Sequence, residues 1–565
     1  MRRRIGGLSQ FRAGRTGPFT SATLPLRFLR PFRFSCALRP GPVLAALLLP
    51  LFVSVRGAAT ETPAGPPADA GTLFIQEYRV EGIHLLANSE VEEAVYPFLG
   101  PGRTTDDVEK ARTALEKIYR DKGFQTVSVQ VPPQEPADGV VVLQVTEAAV
   151  GRLRVTGSRY FSPAVTKAAA PSLAEGRVPN FNEVQRDIIA LNQNPDRRVT
   201  PALLPGATPG TVDVNLDVKD SAPVHANVEL NNRHSAGTTQ LRLNAGARAT
   251  NLWQLGHTAG LSLQVAPERP EEARIFSGYY LARLPEADGV SLMLQGTKQD
   301  SNVSTLGGAA VAGHGSILGA RVLVALPAGK NFYQSAGLGF DYKHFDQDIV
   351  VAGVHTLAPV TYWPFSASYD AGWSGTKTET ALSLAVTFHL RGFGSGSTAF
   401  NNSRFGASGS FFYLRGELAQ TRELPGGFQI FGKAQGQLAS QPLLSAEQFS
   451  AGGLGTARGY LEGETAGDNA IFGSAELRTP PLASRAGLHD ADWRVYVFAE
   501  GGWQTLIRPL PGQTAHFGLA SVGLGTRLRA ADHFNLSLDA GFPLLDVSPT
   551  RAGDWALTFR VWAEY

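Results

Sequence analysis

Trp555-Ala556-Leu557-Thr558-Phe559-Arg560-Val561-Trp562-Ala563-Glu564-Tyr565 closes the chain and alternates with a period of two. Successive side chains of an extended strand point to opposite faces. Trp555, Leu557, Phe559, Val561, Ala563 and Tyr565 therefore share one face, Ala556, Thr558, Arg560 and Glu564 the other, and only Trp562 blurs the pattern. One face suits lipid and the other water, which is the pattern of a membrane-spanning barrel strand of about ten residues. The preceding segment repeats it, with Phe534, Leu536, Leu538, Ala540 and Phe542 against Asn535, Ser537 and Asp539. So does a segment far upstream, with Val224, Ala226, Val228 and Leu230 against His225, Asn227, Glu229 and Asn231. Sixteen such segments fill residues 223–565, roughly 21 residues each with its connection, which fits an even-numbered antiparallel barrel. Closure is needed because an open sheet edge in hydrocarbon leaves backbone groups unpaired at several kcal/mol each. A soluble β-sandwich shares the alternation in a smaller sheet; an array this long behind a secretion signal favours the barrel.

That signal is read at the other end. Residues 1–60 hold ten arginines and no acid, ahead of an apolar run at 43–55 and the small residues Gly57, Ala58 and Ala59. Thirteen apolar residues are too few for a spanning helix, which takes about 20, so 1–59 reads as a secretory signal cleaved after Ala59. Cleavage would turn the formal charge of +2 into −8 and remove Cys36, the one cysteine of 565 residues. A disulfide framework, a thiolate metal cluster and a nucleic-acid binder are thereby disfavoured. No later apolar run approaches 18 residues, so a membrane crossing has to be made by strands.

Between signal and barrel lie a Pro/Ala/Gly/Thr linker at 60–72 and two repeats, at 73–148 and 149–222. In the first, a strand ends near Val80, and Ser89 with Glu92 forms a capping box ahead of Val91, Val95 and Phe98. Val108, Ala111, Leu115 and Ile118 mark a second helix, and alternating strands carry Val127, Val129 and Val131, then Val141, Leu143 and Val145. The order is strand, helix, helix, strand, strand. It recurs about 75 residues on, where Val155 and Gly157 echo Val80 and Gly82, 182–191 is helical and 211–217 alternates. In a secreted pair ahead of a barrel, this order resembles the POTRA (polypeptide-transport-associated) domain. Tyr78-Arg79-Val80-Glu81-Gly82, Tyr119-Arg120-Asp121-Lys122-Gly123-Phe124 and Gly157-Ser158-Arg159-Tyr160-Phe161-Ser162 resemble its two-partner-secretion version.

Strand parity, counted back from a periplasmic Tyr565, puts the connection between segments eleven and twelve outside. It is the longest connection and contains Phe449-Ser450-Ala451-Gly452-Gly453-Leu454-Gly455-Thr456-Ala457-Arg458-Gly459-Tyr460. Gly452, Gly453, Arg458, Gly459 and Tyr460 resemble the sixth-loop signature of POTRA-bearing outer-membrane transporters, in which that loop folds back into the barrel. Ala457 stands where that family usually has valine. On segment thirteen Trp493, Val495, Val497 and Ala499 face lipid, which turns Arg494, Tyr496, Phe498 and Glu500 inward. Phe498, Glu500 and Gly502 resemble the family motif Phe-x-Asp-x-Gly, with glutamate replacing aspartate. An arginine carried into a partly desolvated lumen needs a carboxylate, so an Arg458–Glu500 ion pair is expected, bidentate if geometry permits. In an ordinary porin Arg458 would be a solvated loop cation and Glu500 a pore-lining acid.

Gly453, Gly455 and Gly459 mimic a phosphate loop but lack its lysine and its strand–loop–helix setting. The 11 histidines lack metal-ligand spacing, and no Gly-x-Ser-x-Gly elbow occurs. No catalytic residue, metal site or cofactor is therefore expected, and nothing argues for an enzyme.

The whole pattern resembles the TpsB transporter of two-partner secretion, the haemolysin-activator (ShlB/FhaC) type. The resemblance implies a mainly β protein: a sixteen-stranded antiparallel transmembrane β-barrel preceded by two small α+β POTRA domains in the periplasm of a Gram-negative-type bacterium. It implies that a large TpsA-like exoprotein is recognised by the POTRA pair and threaded outward without ATP. Further partners implied are outer-membrane lipid and the barrel-assembly machinery, the latter reading a C-terminal aromatic, here Tyr565 where phenylalanine is usual. Some family members plug the pore with an N-terminal helix; residues 60–72 are too short and too rich in Pro and Gly for the linker this needs, so no plug is expected. Two rivals stay open: an assembly factor inserting other barrels, which commonly has more POTRA modules, and a passive solute porin, which needs none.

Overall fold

The computed structural model describes residues 73–565 apart from 136, 285–286, 288, 302–312, 352–353 and 489. The signal assigned to 1–59 and the linker assigned to 60–72 lie outside the described residues. The described chain forms two compact units that divide after Ser221.

The first unit holds two α+β modules. In the first, the strands Glu77–Glu81, Val140–Glu147 and Val127–Gln130 form a sheet in that order, covered by the helices Asn88–Val95 and Thr105–Asp121. Val108, Ala111, Leu115 and Tyr119 recur at helical spacing, and the stripe packs on Val127, Val129, Val141, Leu143 and Val145 of the sheet. The first helix starts two residues earlier than Ser89 and Glu92 suggested. Ala87 caps it and donates its amide to the Glu90 carboxylate at 3.2 Å, so only half of a capping box forms and Ser89 lies inside the helix. A ribbon of Leu73–Ile75 with Gly100–Arg103 was not legible in the sequence, because Gly100-Pro101-Gly102-Arg103 has no alternation.

The second module has the strand order Ala149–Thr156, Thr211–Asp220, Arg197–Pro205, with the helices Pro163–Ala168 and Phe181–Leu191. The repeat goes deeper than element order. Gly82 (φ +85°) and Gly157 (φ +76°) each turn the chain out of the first strand, and an added Cβ would stand 2.3 Å from the Val145 carbonyl oxygen or 2.4 Å from that of Val218. Only glycine fits both the conformation and the approach. Two residues past each valine, a carboxylate caps the turn. Glu147 accepts from the His84 and Leu85 amides at 3.0 Å each and from the Tyr119 hydroxyl at 2.8 Å. Asp220 accepts from the Arg159, Tyr160 and Phe161 amides at 2.9, 2.7 and 3.1 Å. These amides point away from the sheet ladder and would otherwise need water. Among the described residues the outer strands of each sheet pair on one side only, and one of them, Arg197–Pro205, carries Pro201 inside it, as an edge strand can.

The second unit is a closed barrel in which every strand pairs antiparallel with its neighbours. It contains sixteen strands: Val354–Tyr362 and Phe365–Ser374 both pair along the seventh strand, Phe332–Val351, and form one eighth strand broken at Trp363-Pro364. Proline cannot donate to a ladder, and here its carbonyl still accepts from the Asp341 amide at 3.0 Å. The faces follow the period of two: on the thirteenth strand, Ala491–Thr505, Tyr496 is 1% exposed and Val497 55%. Outward apolar side chains form an exposed belt, with exposed Trp253, Trp503 and Trp555 near the strand ends.

Closure is made by the first strand, Val224–Asn231, and the sixteenth, Ala556–Glu564, over a short register running from Arg560↔Asn231 to Glu564↔Asn227. Side chains lengthen this seam. Arg560 donates to both Glu229 oxygens at 2.9 and 2.7 Å. The Asn232 carboxamide accepts from the Phe559 amide at 2.8 Å and donates to the Leu557 carbonyl at 2.7 Å, standing in for a peptide group.

Candidate functional site

Residues 440–468 connect the eleventh strand, Gln429–Ala439, to the twelfth, Asn469–Arg478, and fold down into the lumen. Lys433 and Gln435, in the middle of the eleventh strand, donate to the Gly455 carbonyl at 2.6 and 2.8 Å, so the loop reaches mid-barrel. Phe449–Ala451 pairs with Thr465–Gly467 and holds the limbs of the loop together. At the turn, Gly452 (φ +108°) and Gly453 (φ +80°) adopt left-handed backbone, and a Cβ on Gly453 would collide with the Glu462 carboxylate. The small Ala457 is fully buried.

Arg458 is 2% exposed and lies against the twelfth, thirteenth and fifteenth (Phe534–Pro543) strands. Its Nε and Nη2 both donate to Glu500 Oε1, at 3.1 and 2.6 Å, while Glu500 Oε2 accepts the Arg458 amide at 2.7 Å. The contact is therefore not a two-oxygen fork, because the second oxygen is taken by the backbone of the same arginine. Nη1 donates to Asp539 at 2.9 Å, and Nη2 stands 2.9 Å from Glu476. The Phe498 ring lies 3.6 Å from the guanidinium carbon, a cation–π contact in a site without bulk water.

The carboxylates have further donors. Arg478 holds Glu476 at 2.6 Å, Arg527 of the fourteenth strand, His516–Ala530, reaches it at 3.2 Å, and the Tyr496 hydroxyl donates to Asp539 at 2.6 Å. Three guanidinium groups thus face three carboxylates, and the formal charge of the cluster is zero. That balance matters because breaking one partner of a buried pair costs about 3–5 kcal/mol.

The remaining motif residues set the approach. Gly459 has φ +101°, and Tyr460 donates its hydroxyl toward the Leu545 carbonyl at 2.8 Å, near the rim. Gly502 lies against the twelfth strand, where a Cβ would meet the Ile471 carbonyl at 2.1 Å. The structure brings Gly452, Gly453, Arg458, Gly459, Tyr460, Phe498, Glu500 and Gly502 into one lumenal region. Sequence reasoning paired Arg458 with Glu500 alone and missed the roles of Glu476 and Asp539. Both sit on the inward phase of their strands, so alternation marked them as lumenal; the signal lacking was their height in the barrel.

A strand-built pore with an inward loop and α+β modules ahead of it defines a class, the POTRA-bearing transporters of the outer membrane. Residues 73–148 match the ShlB-type POTRA domain, and residues 356–528 match the haemolysin secretion/activation protein family ShlB/FhaC/HecB. The chain thus carries a ShlB-type POTRA domain and a segment similar to the ShlB/FhaC/HecB transporters, and together these support export of an exoprotein across the outer membrane by two-partner secretion. It is 22% identical over 468 residues to the heme/hemopexin transporter protein HuxB of Haemophilus influenzae, covering 81% of each chain. It is also 22% identical over 441 residues to the outer membrane transporter CdiB of Dickeya dadantii, covering 71% of this chain and 72% of that one. In fold it is similar to CdiB from Escherichia coli, with a TM-score of 0.60 at 19% identity over 89% of this chain and 93% of the other. It is likewise similar to BamA from Haemophilus ducreyi lacking POTRA domains 1–3, with a TM-score of 0.53 at 17% identity over 87% of this chain and all of that one.

Proposed function

We propose that the chain is the dedicated outer-membrane exporter of one large exoprotein and that the loop carrying Arg458 is the moving obstruction of its pore. The observation that carries this reading is the chemistry of the loop seat. Arg458 is held by charge-assisted bonds that can be exchanged for water or for a passing polypeptide, and the seat lies in the path the cargo takes. A permanent plug needs no such charge cluster, because packed apolar side chains hold as well without desolvating six charges.

In this reading 73–148 and 149–222 are separate POTRA domains and 223–565 is the barrel. An extended cargo segment adds to an open sheet edge by backbone hydrogen bonds, with nearby side chains giving specificity. The outward apolar side chains contact outer-membrane lipid, and the aromatic C-terminus at Tyr565 is what the barrel-assembly machinery reads during insertion. The protein moves its cargo and catalyses no bond change.

The test is mass spectrometry of culture medium and outer membrane from cells with and without the gene. Loss of one very large β-rich protein from the medium is expected. Loss of many barrels from the membrane would instead make the chain an assembly factor, and no change in either fraction would leave a solute pore.

A further inference from the structure

The lumenal loop has a second seat that the sequence motifs do not mark. Glu447 is fully buried, and its carboxylate accepts from Lys343 Nζ at 2.5 Å and from the Tyr362 and Tyr413 hydroxyls at 2.7 Å each. Its backbone carbonyl accepts from Arg415 at 2.8 Å. These donors come from the seventh and eighth strands and from the tenth, Phe411–Glu423, which lie before the loop in the barrel order; Arg458 is held by strands that follow it.

The two seats differ in kind. Around Glu447 the neighbours are apolar and aromatic: Leu443, Leu444 and Ala446 pack with Phe345, Phe400 and Phe411. The carboxylate has one cation and two neutral donors, in a site that excludes water, so leaving it would strand a lysine and two hydroxyls together with the apolar limb. When Arg458 departs, Glu476 keeps Arg478 and Arg527, Glu500 keeps the Ser474 hydroxyl, and Asp539 keeps the Tyr496 and Ser537 hydroxyls. Release at the Arg458 seat therefore uncovers polar groups that each keep a donor and can take up water, whereas release at the Glu447 seat also uncovers the apolar limb of Leu443, Leu444 and Ala446.

We infer that Glu447 is a positioning residue: it pins the first limb of the loop to the wall, and the loop opens by swinging its Arg458 end about that fixed point. This rests on the reading that the loop moves during export.

The test is amide hydrogen exchange of the full chain in lipid nanodiscs, comparing residues 443–450 with 452–462. In Arg458→Ala, and in Arg458→Gln if the alanine variant folds poorly, exchange at 452–462 is expected to rise about tenfold or more while 443–450 stays within about twofold of the unmodified chain. In Glu447→Ala, or the near-isosteric Glu447→Gln, both segments are expected to rise by about tenfold. Tyr362→Phe and Tyr413→Phe, each removing one donor, give smaller rises confined to 443–450. The inference is overturned if 443–450 keeps its protection in Glu447→Ala and Glu447→Gln, or if both segments open together in Arg458→Ala. Cargo export is read on the same variants. Should 452–462 open in Arg458→Ala with export undiminished, the moving-obstruction reading fails while the fixed seat stands.

Discussion

The backbone of Gly459 lies against that of Gly541: a Cβ on Gly459 would come within 3.0 Å of the Gly541 carbonyl carbon, and one on Gly541 within 2.6 Å of the Gly459 nitrogen. This contact sets how close the loop comes to the fifteenth strand, and Asp539, which bonds Arg458, is two residues before Gly541 on the same face. Gly541→Ala is expected to push the loop off the wall and lengthen the Arg458 contacts with the barrel intact. Export should fall nearly as far as in Arg458→Ala, and planar-bilayer conductance should rise in both. Unchanged export and conductance in Gly541→Ala would show that the approach does not matter.

Arg458 answers three carboxylates, so a simple charge exchange is a poor probe of it. Arg458→Glu with Glu500→Arg would put the new carboxylate beside Glu476 and Asp539, and the double variant is expected to recover only a small part of export. Glu500→Asp keeps the acid and should retain most activity. Arg458→Lys keeps the charge but has one nitrogen where three are used, and a loss of about 2–3 kcal/mol in loop seating is expected, seen as raised conductance. Full export by Arg458→Lys would count against the multidentate seat.

The Asp220 carboxyl lies below the usual aspartate range: burial opposes its ionisation, but the Tyr160, Arg159 and Phe161 amides and the Ser158 hydroxyl outweigh burial. A carboxyl with a lowered folded-state pKa contributes its full stability above the unfolded value of about 3.9 and loses it as pH falls through the lower folded value. Residues 149–221 should therefore weaken in acid below about pH 4. Asp220→Asn should cost about 1–2 kcal/mol at pH 7 and flatten that dependence. Amide exchange corrected for its intrinsic pH dependence reads both, and an Asn variant as stable as the unmodified chain would refute the capping role.

The seam between first and last strands is short in backbone pairs and leans on Glu229, Arg560 and Asn232. Glu229→Gln and Asn232→Ala are each expected to lower the temperature at which the barrel loses its compact mobility on cold denaturing gels. The pair change should cost about 2–3 kcal/mol, because Glu229 and Arg560 are only partly shielded. An unchanged transition would mean that the backbone register alone closes the barrel.

What the sequence alone determined follows from the membrane's own rule. Lipid on one side and water on the other impose a period of two, so the phase of residues 555–565 declared a barrel strand and the phase of residues 493–500 turned Phe498 and Glu500 inward. Strand parity put the loop of Arg458 on the outer side, and Gly82 and Gly157 announced the repeated turn. Tertiary structure decided which inward side chains meet. Glu476, Glu500 and Asp539 sit on three strands, and their common height depends on strand stagger, which the alternation of any one strand does not carry. The Glu447 seat was invisible for the same reason. Its donors, Lys343, Tyr362 and Tyr413, stand on the inward phases of distant strands, and they converge only because the barrel closes and the loop turns back into it.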